Sequence, residues 1–184
     1  MGEIVERDEL PLRYTAFSTN FRREAGAAGR DTRGMFRVHQ FNKVEMFSYV
    51  LPGESWDEHE RLLAIEESLA GELGLPYRVV NIEAGELSAA AAKRYDIEAW
   101  FPSQQRYREL TSASNTTDYQ ARRLGVRYRA NGHTDYVHTL NGTAVTDRWL
   151  LAVLENFQDE GGAVAVPEPL VAYGAPARLS SGEA

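Results

Sequence analysis

Two neighbouring stretches decide how the chain is read: Phe21-Arg22-Arg23-Glu24-Ala25-Gly26, and Arg37-Val38-His39-Gln40-Phe41-Asn42-Lys43-Val44-Glu45. A two-residue period in the second places Arg37, His39, Phe41, Lys43 and Glu45 on one face of an extended strand. Phe36, Val38, Val44 and Met46 fall on the other face, the set a core would take. This strand is expected over 35–51. Shorter extended pieces are expected at 10–17 and 20–24, with a mobile glycine-rich loop at 26–34 between them and the long strand. Such a pair of strands brings Arg22 and Glu24 beside Arg37, Phe41 and Glu45. Guanidinium groups suit phosphate or carboxylate because their donors form a planar fork. An aromatic ring among them offers a face to a base or to a second guanidinium. A solvated face of paired charges accounts for the same residues equally well. On this cluster alone the two readings stay open.

Outward from there, Ser55 and Glu58 have the spacing of a capping box after Pro52-Gly53. They open a helix with Leu62, Ile65, Leu69 and Leu73 at helical spacing, stopped by Gly74. A strand is expected at 77–82, a short helix at 89–95, and strands at 96–101 and 106–112 around a turn at Pro102. A short helix follows at 117–124. A hairpin of 126–129 and 136–140 turns at Asn131-Gly132. Thr146 caps a last helix whose buried stripe is Leu150, Val153, Leu154 and Phe157, ended by Gly161-Gly162. The expected fold is α+β, an antiparallel β-sheet flanked by helices. Residues 1–173 make one domain and 174–184 a flexible tail.

The chain has 184 residues, 43% of them hydrophobic, enough for one domain with a core. It has no cysteine, which excludes a disulfide scaffold, a thiolate zinc site and a cysteine nucleophile. The net charge of -7 argues against a globally basic nucleic-acid binder and leaves room for a local patch. No apolar run reaches the roughly 18 residues of a membrane span. Residues 1–9 are acidic and polar, unlike a signal peptide. A cytoplasmic location without membrane contact is the expectation.

Three further clusters carry chemistry. Arg106 to Asn115 holds Glu109 with hydroxyls nearby, and a carboxylate beside a hydroxyl suits Mg²⁺, a hard cation. A polar strand end reads the same residues. Asn141-Gly142-Thr143-Ala144 runs into Thr146-Asp147-Arg148-Trp149, a strand turning into a helix. An arginine in a first helical turn opposes the positive end of the helix dipole unless an anion is there. Asp118 to Arg123, followed by Arg127 and Arg129, fits a phosphate or RNA contact or an ordinary charged surface helix. The four histidines, His39, His59, His133 and His138, have no metal-ligand spacing, and neither a phosphate-binding loop of the P-loop type nor a Ser-His-Asp set is found.

In their order, these clusters resemble the catalytic core of the seryl-tRNA synthetase family, a class II aminoacyl-tRNA synthetase. The stretch from Phe21 to Glu45 is similar to the family's motif 2. Asn141-Gly142-Thr143 through Arg148 to Leu154-Glu155-Asn156 is similar to motif 3. Tyr95-Asp96-Ile97-Glu98-Ala99-Trp100, Arg108-Glu109 and the run from Ser114-Asn115 to Arg123 match family-typical segments between them. The resemblance covers nearly the whole chain.

It implies that Arg22 holds the ATP α-phosphate and the serine carboxylate in line, that Glu24 reads the adenine amino group, and that Phe41 stacks on adenine. Arg148 would lie on adenine's other side, near the γ-phosphate, with Arg37 on the phosphates. Arg23, Val38, Leu110 and Thr111 complete the implied ATP site. Glu109 and Ser112 would hold the catalytic Mg²⁺. Glu45 and Thr143 would recognise the serine hydroxyl, with Asn141 nearby. Arg22 and Arg148 are the implied catalytic residues. The implied partners are L-serine, ATP, tRNA(Ser) in the full-length enzyme, and a second copy in a homodimer.

The chain also departs from the family. Motif 1, the threonine-x-glutamate stretch that holds the substrate amino group, and the helical hairpin that grips tRNA precede motif 2 in the family, and Met1 falls after them. A partial, truncated core without motif 1 is therefore the expectation, with impaired activity. Ala113 stands where the family usually has cysteine. Two alternatives compete with a synthetase core. One is a non-catalytic paralogue that binds serine and ATP. The other is a ligase charging a carrier protein, disfavoured because such relatives use zinc and this chain lacks cysteine.

Overall fold

The computed structural model describes residues 2–24 and 34–180. The glycine-rich loop expected at 26–34 lies, except for Gly34, outside the described residues. The strands are β1 (Ile4–Glu6), β2 (Leu12–Phe21), β3 (Gln40–Val50), β4 (Tyr77–Asn81), β5 (Lys93–Phe101), β6 (Arg106–Asn115), β7 (Arg127–Ala130), β8 (His133–Tyr136), β9 (His138–Thr146), β10 (Val164–Ala165) and β11 (Arg178–Leu179). The α-helices are α1 (Ser55–Glu72), α2 (Tyr119–Leu124), α3 (Asp147–Asn156) and α4 (Glu168–Ala172).

Six strands form one sheet in the order β2-β3-β9-β6-β5-β4, antiparallel at every step. The expected class, α+β with helices against an antiparallel sheet, is the observed one. The two pieces expected at 10–17 and 20–24 are the single strand β2, paired with β3 along its whole length. The strand expected over 35–51 begins only at Gln40, because 34–39 is turn and bend.

The alternation in β3 decides which face is which. Met46, Ser48 and Val50 are buried against α1, and Phe41, Lys43 and Glu45 point to the opposite face. On the α1 side, Leu62 packs with Met46, Val50, Ala113 and Leu140. A second cluster forms where α3 meets the end of α1, from Ala70, Leu75, Ala99, Phe101, Trp149 and Val153. Each such large side chain contributes about 1.5–3 kcal/mol on burial. One face of the sheet is thus covered by helices and the other is left for chemistry.

Several local expectations give way to tertiary contacts. The Ser55–Glu58 capping box does not form; no side chain caps α1. The Glu58 carboxylate is instead taken by Arg13 of β2 at 2.9 and 2.7 Å, by Arg61 at 3.0 and 2.8 Å, and by the Ser48 hydroxyl at 2.7 Å. Two guanidiniums outbid one backbone amide. The helix expected at 89–95 is absent, and β5 starts at Lys93 with Lys93 opposite Asn115. Four alanines are too short a run to nucleate a helix against a strand pairing. In α3 the buried residues are Trp149, Ala152 and Val153, while Leu150 is 54% exposed, so the expected stripe is rotated. The helix ends at Asn156, before the glycine pair.

Asn131-Gly132 does make a tight turn, with φ of 50° and 78°, between β7 and β8. The second strand of that hairpin is 133–136, and β9 is a separate strand of the main sheet. In the segment expected as tail, Arg178–Leu179 pairs with Val164–Ala165, and Arg178 is ion-paired with Asp159. Among the described residues no helix is long and apolar enough to cross a membrane.

Candidate functional site

On the open face, the ends of β2, β3, β6 and β9 and the start of α3 converge on a cleft of about 330 Å³. Two backbone contacts fix its rim. The Arg22 amide donates to the His39 carbonyl at 2.8 Å, and His39 Nδ1 lies 3.0 Å from the Arg22 carbonyl. The Asn42 amide donates to Asp147 at 3.0 Å, which ties β3 to the first turn of α3. Thr146 caps that helix as expected, its hydroxyl accepting from the Arg148 amide at 3.3 Å.

Most of the residues singled out from the sequence line this cleft. Arg22, Glu24, Arg37, Val38 and Phe41 come from the β2–β3 side. Glu109, Leu110, Thr111 and Ser112 come from β6, and Thr143 and Arg148 from β9 and α3. Arg23, Glu45 and Asn141 are not in its lining. Arg23 is exposed. Asn141 sits in β9 between Phe47 and Ser114, two residues from Thr143 and so on the same face. Glu45 stands behind Thr143, accepting its hydroxyl at 3.0 Å and an ion pair from Lys43 at 2.6 Å.

Irregular strands aim these groups. Between Val44 and Glu45 the pairing with β9 skips Ala144, a bulge that turns Thr143 toward Glu45. A second skip, between Ile97 and Glu98, leaves Leu110 unpaired and sets Glu109 opposite Glu98.

The charges in the cleft are already matched to each other. Arg37 pairs with Glu24 at 2.5 Å. Glu109 accepts Arg94 on one oxygen at 2.7 Å and Arg148 on the other at 3.2 Å. Arg148 also donates to the Glu109 carbonyl at 2.9 Å. The expectation that Arg148 needs an external anion at the helix start is therefore corrected, because Glu109 supplies the negative charge. Burial raises the Asp96 carboxyl to about 6, Glu109 adds to the rise, and Arg94 works against it.

Two aromatic rings hold the arginines of the cleft. The Arg22 guanidinium lies 4.9 Å from the centre of the Phe41 ring. The Arg148 guanidinium lies 4.5 Å over Phe36, with Arg108 on Phe36 at 4.0 Å. Phe36 is not on the covered face of a strand. It sits in the turn before β3, 8% exposed, with its edge to Phe101. Sequence reading missed Phe36 and Arg94, which line the cleft, and Asp96, which accepts from Arg94 at 2.6 Å. Phe36 is in the core as alternation predicted, packed with Ala99, Phe101 and Trp149, but a turn rather than a strand puts it there. Arg94 and Asp96 stand two apart on β5, the one-face spacing of a strand, in a segment split between helix and strand.

Among the described residues no group of three or more carboxylate, histidine or cysteine side chains is placed to hold a metal ion. Glu109 and Ser112, both on the cleft, offer one carboxylate and one hydroxyl. That donor set is too small for an all-protein cage but fits Mg²⁺, which keeps waters and takes phosphate oxygens as its remaining ligands.

The site is an arginine-lined cleft on the open face of an antiparallel sheet whose other face is covered by helices. Residues 1–157 match the tRNA synthetase class II core domain (G, H, P, S and T), and the chain belongs to that family. Within it, the similarity is to the seryl members. A serine–tRNA ligase of Thermobifida fusca is 58% identical over 170 residues, which cover 92% of this chain and 40% of that protein. Seryl-tRNA synthetase from Pyrococcus horikoshii, solved in complex with ATP, superposes with a TM-score of 0.95 at 51% identity, over 98% of this chain and 41% of that one. The cytoplasmic serine–tRNA ligase of Naegleria fowleri, solved with AMP, gives a TM-score of 0.92 at 43% identity, over 99% and 44%. The chain spans about 40% of the length of the curated relatives it matches.

Proposed function

We propose that this chain is the ATP- and serine-binding part of a serine–tRNA ligase. The observation that carries the reading is the Thr143–Glu45 hydrogen bond beside a cleft lined by Arg22, Arg37 and Arg148. A hydroxyl and a carboxylate beside an arginine-lined pocket support recognition of a hydroxyl amino acid next to an anion. In the proposed reaction the serine carboxylate attacks the α-phosphorus of ATP, giving seryl-adenylate and pyrophosphate. The tRNA 3′ end then takes the seryl group. Such a displacement depends on positioning and charge neutralisation rather than on a protein nucleophile.

In this reading Arg22 aligns the α-phosphate with the serine carboxylate, and Arg37 and Arg148 neutralise the outer phosphates. Arg23, Val38, Leu110 and Thr111 border the nucleotide. Phe41 stacks on adenine, and Glu24 accepts from the adenine amino group. Glu109 and Ser112 would hold Mg²⁺, whose chemistry is to draw charge from the phosphate oxygens. Glu45, Thr143 and Asn141 select the hydroxyl of serine, since a site built for that hydrogen bond rejects an analogue lacking it. A cytoplasmic homodimer acting on tRNA(Ser) is the proposed setting. The open edge of β2, which has β3 as its one neighbour in the sheet, supports pairing with further protein.

Serine-dependent exchange of pyrophosphate into ATP by the purified chain tests the proposal. Exchange with serine and none with alanine is the expected result. ATP binding without exchange would instead favour a binding paralogue.

A further inference from the structure

Behind the cleft, on the helix-covered face of the sheet, α1 carries a glutamate that the proposed reaction does not use. Glu66 is 0% exposed, and its carboxyl oxygens make no well-formed hydrogen bond, the nearby Thr111 hydroxyl donating to the Thr143 carbonyl. An unpaired buried carboxyl is costly, so a reason for its place is needed. The reason lies in β9. A Cβ added to Gly142 would stand 2.9 Å from Glu66 Oε1 and 3.2 Å from Met46 Cε. The Glu66 carboxyl therefore occupies the room that a side chain at 142 would take.

The next residue in the strand is Thr143. Its carbonyl accepts a hydrogen bond from the Thr111 hydroxyl, and its own hydroxyl donates to Glu45 at 3.0 Å. Thr143 also stands immediately before the bulge at Ala144. Gly142 is paired with both β3 and β6, Thr143 with β3 alone, and the ladder is broken at Ala144. Packing from behind at Gly142 adds support next to that break.

We infer that Glu66 is a positioning residue for hydroxyl recognition: seated against Gly142 from the back of the sheet, it holds Thr143 in register with Glu45 on the front. The inference rests on the proposed serine site and deepens it. It also specifies when the support fails. Burial pushes the Glu66 carboxyl up to about 9, Glu45 and Asp96 add to the rise, and Lys43 and the Thr111 hydroxyl oppose it. Across the sheet, then, Glu45 and Lys43 of β3 and Asp96 of β5 are the charges that act on it, while β9 presents Gly142 and β6 presents Thr111. As a neutral acid Glu66 packs quietly; once ionised it repels Glu45 through the strand that Thr143 occupies.

The test uses the whole chain and two stable adenylate mimics, the seryl and alanyl sulfamoyl-adenosines. The quantity read is the ratio of their affinities, in which the titration of the ligands' own amino groups cancels. Glu66→Ala is expected to lower the seryl-over-alanyl ratio about tenfold, a coupling typical of contacting residues, with AMP binding unchanged. Glu66→Gln keeps the shape and is expected to preserve the ratio at pH 7.5. Between pH 8 and 10 the ratio should fall in the parent and stay level in Glu66→Gln. Equal pH profiles for parent and Glu66→Gln overturn the inference, even if Glu66→Ala fails to fold. So does an unchanged ratio in a folded Glu66→Ala. A parent that discriminates, with variants that do so equally, sinks the role of Glu66 alone. A parent that does not discriminate removes the serine reading and the inference together.

Discussion

Arg148 and Glu109 hold each other in the cleft: Arg148 Nη1 lies 3.2 Å from a Glu109 carboxylate oxygen and 2.9 Å from the Glu109 carbonyl. In the proposed function these residues belong to different ligand parts, phosphate and Mg²⁺. Bound nucleotide would exchange one pairing for two. Arg148→Ala is expected to weaken ATP binding by at least about tenfold, as loss of a charge-assisted contact does. The midpoint of thermal unfolding should move little, because both partners are partly exposed and such pairs add little stability. Calorimetric titration with Mg·ATP and a melting curve on the same sample separate the two effects. Equal ATP affinity in parent and variant would remove Arg148 from the nucleotide site.

Thr143→Val keeps the shape of the side chain and deletes the hydroxyl that donates to Glu45. The seryl-over-alanyl affinity ratio is expected to drop by about tenfold or more, since the variant loses the partner that makes the serine hydroxyl worth binding. A ratio left at the parental value would exclude Thr143 from recognition of the serine hydroxyl.

Glu58 governs acid stability. Burial works to raise its carboxyl, but the hydrogen bonds from Arg13, Arg61 and Ser48 outweigh it and hold the group at about 2. A carboxyl depressed from an ordinary 4.5 stabilises the fold above that value, and the contribution is lost as pH falls toward 2. It amounts to on the order of 3 kcal/mol. Urea unfolding at pH 6 and pH 3 should show Glu58→Gln destabilised by about 3 kcal/mol at the first and by about 1.4 kcal/mol at the second, where the folded carboxyl is still mostly ionised.

Glu66 has the opposite sign. Its carboxyl is raised from 4.5 to about 9, so its favourable contribution is complete below pH 4.5 and drains away as pH rises to about 9. By pH 7 the loss is roughly 3 kcal/mol. Glu66→Gln, which does not titrate, is expected to gain on the parent steadily from pH 5 to pH 9 in the same unfolding assay. Parallel stability curves would show that Glu66 does not change protonation on unfolding.

The parts of the site legible in the sequence are those set by alternation along one strand. Phe41, Lys43 and Glu45 could be placed together because β3 is extended through all three. Thr146 could be named as a cap because the residues it serves are its immediate neighbours. What escaped was decided by partners far along the chain. Glu58 has the right spacing to cap α1 and spends its carboxylate on Arg13, 45 residues away. Arg148 looks uncompensated until β6 brings Glu109 to it. The alanines before Lys93 favour helix locally, yet the ladder with β6 extends to Lys93. In each case a charge pair or a strand pairing outweighs a preference worth under about 1 kcal/mol per residue.

The long strand β2 has one further consequence. It is hydrogen-bonded to β3 along ten residues and its other edge is open in the sheet. In an antiparallel pair, amides of successive residues point to opposite edges. Deuterium uptake along β2 should therefore read as a comb, slow and fast by turns, rather than as one protection level. Arg22 stands one position past the end of that comb, so the strand that leads to this cleft-lining guanidinium reports its own attachment amide by amide.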